Sequence, residues 1–140
     1  MIKKFPSIVL FLFFSETFLF AKSNFFQEGV SLFKINKLEA AKFKFEKDIV
    51  FNPKSEKSYL YLAKIFKINK KNQLVENNLK TVILLNPKNE EAIYELTLHN
   101  ISKSNFDESK NLIKNFKEIC VKLCLKKAEL ESKLENSLKK

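Results

Sequence analysis

The chain has 140 residues, which is the length of a single domain. Its one glycine and three prolines are too few for the many turns of an all-β fold. The formal charge is +10, yet all 26 basic residues are lysine, and the arginine that reads bases in nucleic-acid recognition is absent. The lysines are spread along the chain, which is typical of a solvated surface, so we expect no specific nucleic-acid partner.

The N-terminal segment has the pattern of an export signal. Residues 1–4 carry two lysines, and residues 5–20 form an apolar run. Ala21 and Ser23 then place small side chains where a signal peptidase reads them, which predicts a signal peptide at residues 1–23, with a cut directly after Ala21 as the alternative. An uncleaved membrane anchor is the competing interpretation, but the run is shorter than the roughly 20 residues that span a bilayer. We therefore expect an exported protein of the periplasm or cell envelope.

The rest of the chain is organised by a repeat of 34 residues. Asn52-Pro53 returns as Asn86-Pro87, and an apolar stripe with helical spacing follows each pair. A fixed period of this length indicates stacked helical hairpins. The period divides the chain into units at about residues 22–55, 56–89 and 90–122.

Small side chains recur at the same place in each unit. Gly29, Ala63 and Thr97 are 34 residues apart. Small residues let two helices approach closely, and a glycine within a helix costs about 1 kcal/mol relative to alanine. We therefore attribute Gly29 to helix packing. A second small-residue column has the same spacing: Ala41, Val75 and Ser109.

The second unit carries the most complete set of repeat positions: Tyr59, Leu62, Ala63, Phe66, Val75, Leu79, Val82 and Pro87. This pattern resembles the tetratricopeptide repeat. The other two units depart from that family's pattern, because Glu28 and Asp48 replace its usual leucine and alanine in the first unit and Val121 replaces its proline in the third. The resemblance implies an all-α solenoid of about three helix–turn–helix units at residues 24–122.

The C-terminal segment, residues 123–140, is predicted to be a further amphipathic helix. Leu123, Leu130, Leu134 and Leu138 form one apolar stripe. Because the last unit of a repeat array exposes an apolar flank, we expect this helix to cap the third unit. A homodimer through the same stripe is the alternative.

Cys120 and Cys124 are the only cysteines. On an unbroken helix, cysteines four residues apart seldom meet disulfide geometry, so we favour buried free thiols. A bend between the third unit and the cap would instead allow a local disulfide, and an even number of cysteines in an exported chain favours one. Zinc would need two more soft ligands, and the sole histidine, His99, is expected on a helix surface. We predict no metal, no cofactor and no catalytic residues.

The resemblance also implies a functional surface. In tetratricopeptide repeats the first helices of the units line a concave groove that takes an extended peptide or a partner helix. Some of these repeats grip a terminal carboxylate with polar and basic side chains, but Phe26, Val30, Tyr61, Glu91 and Glu95 occupy the matching positions here. The predicted groove residues are Phe26, Val30, Phe33, Leu60, Tyr61, Lys64, Lys67, Tyr94, Leu98 and Ile101.

We therefore predict a non-catalytic scaffold or adaptor that binds a protein or peptide in an apolar groove. The groove is alternatively filled by the N-terminal residues or the tail of the same chain. Other classes remain open: a membrane-anchored structural or outer-membrane assembly component of the envelope, and an electrostatic binder of an anionic polymer or lipid.

Overall fold

The computed structural model describes residues 24–139, so the predicted signal peptide lies outside the described residues. Within that range every regular element is a helix, and none is long and apolar enough to cross a bilayer. A short 3₁₀ turn at Cys124–Lys126 precedes the last helix. The helices are α1 (Phe25–Lys34), α2 (Leu38–Phe51), α3 (Glu56–Ile68), α4 (Asn72–Leu85), α5 (Glu90–Ser102), α6 (Phe106–Ile119) and α7 (Lys127–Leu138).

The helices form three hairpins, α1 with α2, α3 with α4 and α5 with α6, which stack in chain order. The helix α7 packs on α5 and α6 at the end of the stack. This arrangement confirms the predicted array of three helix–turn–helix units with a capping helix.

Each hairpin turns through the same backbone motif. Asn36, Lys70 and Ser104, again 34 residues apart, have φ values of 58°, 56° and 58°. In the second hairpin the amide of Lys70 donates to the carbonyl of Lys67, and the amide of Lys71 donates to the carbonyl of Phe66. These are the two hydrogen bonds of a Schellman motif, which usually has glycine at the left-handed position. The chain makes all three turns without glycine.

The small-residue columns lie on buried faces of the helices. All six members are buried, which agrees with the packing role that the sequence predicts. Phe45 lies against Gly29, and the residues at the same repeat position in the next two units, Leu79 and Ile113, are buried as Phe45 is.

The first interface between hairpins differs from the second. Asp48 of α2 is buried, and the Ser58 hydroxyl of α3 donates a hydrogen bond to its carboxylate over 2.5 Å. The equivalent positions one unit later are Val82 and Ala92, both buried and apolar. A polar contact therefore joins the first two hairpins where apolar side chains join the next two.

The start of the capping helix corrects one expectation. The sequence pattern predicts a helix from Leu123, whereas α7 begins at Lys127. The cause is a bend: α6 ends at Ile119, and Cys120 is extended. Cys120 and Cys124 form a disulfide across this bend, with Cα atoms 5.2 Å apart, so the free thiols that we favoured are not found.

Candidate functional site

An apolar hollow lies over the middle hairpin. It has a volume of about 280 Å³ and is partly open to solvent. Its floor comes from α3 and α4, and its ends come from α1 and α5. We call this hollow the α3 cavity. Its lining residues are Phe33, Leu60, Ala63, Lys64, Lys67, Ile68, Val75, Leu79 and Glu95.

Two ion pairs form the rim of the α3 cavity on the side of α5. Lys64 pairs with Glu91 at 2.7 Å, and Lys67 pairs with Glu95 at 2.5 Å. The Lys64 ammonium also lies 4.8 Å from the centre of the Tyr61 ring. All four charged side chains are partly exposed, and such pairs are worth about 1 kcal/mol or less. A ligand can therefore displace them at low cost, while the floor stays apolar.

Tyr61 lies beside the cavity but also holds the first two hairpins together. Its ring stacks on Phe45 with centroids 4.9 Å apart and an angle of 19°. It meets the edges of Phe33 and Phe26 at 5.2 Å and 5.8 Å. Aromatic pairs of this kind contribute about 0.5–1.5 kcal/mol beyond burial. Replacing Tyr61 would therefore disturb the fold as well as the predicted groove.

The third unit's share of the predicted groove lies against the capping helix. The Tyr94 hydroxyl donates to the Glu129 carboxylate of α7 over 2.9 Å, and Lys126 lies 5.6 Å from the Tyr94 ring centre. Burial, and then this hydrogen bond, raise the pKa of Tyr94. Leu98 and Ile101 line an open depression shared with α7. The C-terminal segment therefore occupies this end of the face.

The structure thus divides the ten predicted groove residues among three places. Phe33, Leu60, Lys64 and Lys67 meet in the α3 cavity. Phe26, Val30 and Tyr61 are partly buried and pack against the hydrophobic core. Tyr94, Leu98 and Ile101 lie near α7.

Sequence reasoning missed one exposed member of the cavity, Ile68, which is 54 % exposed. The signal was present, because Ile68 follows Lys64 by four residues and so lies on the same helix face.

His99 is not the surface residue that we expected. Its side chain is only 8 % exposed, and Nε2 lies 3.7 Å from the Glu76 carboxylate of α4. Burial, and then the charge of Lys103, lower the pKa of His99. Hydrogen bonds from Lys80 and Lys103 lower the pKa of Glu76 to about 2. Across residues 24–139 no group of three or more His, Cys, Asp or Glu side chains is placed to hold a metal ion.

No protein-family model matches the chain, and no curated protein matches it. Solved structures do. The first tetratricopeptide-repeat domain of Spaghetti (RPAP3), solved with the HSP90 peptide SRMEEVD, superposes with a TM-score of 0.72 at 17 % identity, over 83 % of this chain and 91 % of that chain. The Sgt2 tetratricopeptide-repeat domain from Aspergillus fumigatus superposes with a TM-score of 0.69 at 13 % identity, over 86 % and 83 %. The chain therefore has the fold of tetratricopeptide-repeat domains.

Proposed function

We propose that this protein is a non-catalytic adaptor that binds a peptide or helix of a protein partner in the α3 cavity. The observation that carries the proposal is the cavity itself, which has a volume of about 280 Å³, an apolar floor, an exposed Ile68 and a rim of partly exposed ion pairs. Pockets in which an apolar side chain is fully desolvated supply most of the energy at protein interfaces. The cavity accordingly takes an apolar anchor residue of the partner.

The recognition differs in kind from the capture of an acidic peptide. The similar RPAP3 domain was solved with such a peptide, SRMEEVD. Here Glu91 and Glu95 stand at two of the clamp positions implied by the repeat pattern, and they already bind Lys64 and Lys67. An incoming carboxylate would have to compete with both. We therefore assign the affinity to the apolar anchor.

We also propose that the protein is exported to the cell envelope after removal of residues 1–23. The charged start, the apolar run and the small residues support this proposal, as does the Cys120–Cys124 disulfide, because disulfides persist in oxidising compartments. Mass spectrometry of the native N-terminus tests it. The expected chain begins near Asn24, and a chain that keeps Met1 would contradict export with cleavage.

The groove is tested by placing a photo-crosslinking amino acid at Ile68, and in a control protein at Leu84. Leu84 is 82 % exposed on α4 and is not among the residues that line the α3 cavity. In native envelope extract we expect Ile68 to yield one defined crosslinked partner that Leu84 does not yield. The partner segment is then synthesised as a peptide and titrated against the purified protein.

The matched variants are Ile68→Ser and Leu84→Ser, each of which removes one exposed apolar side chain. Ile68→Ser is expected to weaken peptide binding about tenfold, since losing the burial of one such side chain costs roughly 1.5 kcal/mol. Leu84→Ser is expected to bind like the wild type. Equal crosslinking from both positions, or equal binding by both variants, would reject the α3 cavity as the binding site.

A further inference from the structure

The bend before the capping helix is held by one carboxylate. Residues 120–124, which we call the cysteine turn, enclose three amides between the two bonded cysteines. The amides of Val121, Lys122 and Leu123 all donate to the carboxylate of Glu90 over 2.7–3.1 Å. Glu90 is the first residue of α5. The cysteine turn is therefore tied to the helix that α7 covers.

The disulfide is what keeps these amides together. A short segment between two half-cystines samples far fewer conformations than an open one. Successive amides that converge on one anion form a concave site whose strength depends on their common orientation. Their hydrogen bonds, that of Leu123 foremost, lower the pKa of Glu90, so the carboxylate stays ionised. When the disulfide opens, the amides lose this fixed orientation.

Besides the cysteine turn, α7 is held by its packing on α5 and α6. Leu130 and Leu134 are its only buried residues, and α7 is 12 residues long. Helices of this length are marginal in water without tertiary contacts. Its polar contacts with α5 and α6 include the hydrogen bond from Tyr94 to Glu129 and the exposed ion pair of Lys117 with Glu131. The docking of α7 therefore depends on where the cysteine turn places its first residue.

We propose that the redox state of Cys120–Cys124 controls how far the binding groove extends onto α5. This inference rests on the proposed function of the groove and concerns its regulation. In the oxidised protein α7 covers the face of Tyr94 and Leu98, and the groove ends at the α3 cavity. In the reduced protein α7 leaves α5 more often, and this face joins the groove.

The reductant is a dithiol. One of its thiolates attacks a sulfur of the cysteine turn, which breaks the S–S bond and forms a mixed disulfide. Its second thiolate then displaces the protein sulfur. Two electrons and two protons end on Cys120 and Cys124 as two thiols, and the dithiol becomes a cyclic disulfide. Both cysteines are partly exposed, so the sulfurs lie within reach of a small dithiol.

Hydrogen exchange measured by mass spectrometry tests the inference on the purified protein, without any partner. With dithiothreitol, or in a Cys120→Ser/Cys124→Ser variant, we expect amides of residues 127–138 to exchange at least tenfold faster. Exchange in α1 to α4 is expected to stay unchanged. Tetranitromethane supplies a second readout in the Cys120→Ser/Cys124→Ser variant, which has no thiol for the reagent to oxidise. There we expect Tyr94 to be nitrated faster than in the disulfide-bonded protein, while Tyr59, far from α7 in sequence, keeps its rate.

A variant with both cysteines intact separates the carboxylate from the disulfide. Glu90→Gln removes the charge that gathers the three amides and is expected to accelerate exchange in α7. Its control is Glu91→Gln, which lies next to it and pairs with Lys64 instead. A change of less than twofold in the hydrogen-exchange rates of α7 on reduction would overturn the inference. Faster exchange throughout the chain would overturn it as well, because the disulfide would then stabilise the whole fold. Neither result bears on peptide binding at Ile68, so a failure of this inference can be distinguished from a failure of the proposed function.

Discussion

Gly29 of α1 lies against the ring of Phe45 in α2 so closely that a Cβ on Gly29 would come within 2.7 Å of Phe45 Cε1. The equivalent pairs in the next units are Ala63 with Leu79 and Thr97 with Ile113. The small residue becomes larger from the first unit to the third, and the residue paired with it changes from an aromatic to an aliphatic side chain. Each hairpin therefore fills the same space with a different division of volume.

The first prediction concerns this pair. Gly29→Ala is expected to lower the free energy of unfolding by about 1–3 kcal/mol, because Phe45 is fully buried and stacked on Tyr61 and has no room to move. The loss exceeds the gain of about 1 kcal/mol in helix propensity. Adding Phe45→Leu recreates the Ala63 and Leu79 pair and is expected to recover part of the loss. Urea unfolding measures both variants, and a stabilising Gly29→Ala would refute the packing account.

The second prediction concerns the polar contact between the first two hairpins. Ser58→Ala leaves the buried Asp48 carboxylate without the serine hydroxyl that donates to it, and is expected to cost about 2 kcal/mol or more. The double variant Asp48→Val/Ser58→Ala installs the apolar pair found one unit later. We expect it to unfold at or above the wild-type urea midpoint. A double variant that unfolds below the wild-type urea midpoint would show that the polar contact contributes net stability.

The third prediction concerns the left-handed turns. Lys70 has a φ of 56°, in the left-handed region. Glycine adopts this conformation without strain, asparagine adopts it with little strain, and lysine is strained there. Lys70→Gly is expected to raise the free energy of unfolding by about 1 kcal/mol. Asn36→Gly, at the equivalent turn, is the control and is expected to gain less. Thermal unfolding followed by circular dichroism compares the two, and an equal gain would contradict the strain argument.

The fourth prediction concerns pH. Burial lowers the pKa of His99 below its ordinary 6.5. Between the two pKa values, His99 is therefore protonated in the unfolded chain and neutral in the folded chain. Stability from this group is therefore present above about pH 6.5 and is lost as the pH falls through that value toward the lower pKa of the folded state. The slope is at most about 1.4 kcal/mol per pH unit. Urea unfolding from pH 7.5 to 5 is expected to show this slope in the wild type.

The pH dependence of the wild type is compared with that of His99→Leu, which removes the only histidine and fills the buried site with an apolar side chain. The difference between the two proteins isolates the His99 titration from that of the carboxylates. Parallel stability curves for wild type and His99→Leu over this range would contradict the assignment.

The hairpin array was predictable because its information is local. Helical spacing marks the buried face of each helix, and Pro53 and Pro87 mark the unit boundaries. The small residues Gly29, Ala63 and Thr97 mark buried helix positions in all three units. These features depend on side-chain size and period, which a sequence states directly.

Other features depend on which neighbour covers a residue. The repeat pattern predicts Tyr61 to be a groove residue, and in the structure its ring also contacts three phenylalanine rings. His99 reads as a surface residue, but Glu76 of the preceding helix lies over it. A period fixes the face on which a side chain lies, while its exposure depends on the adjacent helix.

The sequence by itself determined the all-α repeat fold, the three units and the presence of a cap. Only the tertiary structure decided that the chain bends at Cys120, that a disulfide closes the bend, and that α7 reaches Tyr94. The physical reason is that the helical pattern in the sequence continues through residues 119–124 and does not mark the bend. The hydrogen bonds from the amides of residues 121–123 to Glu90 form only after α5 and α6 have packed.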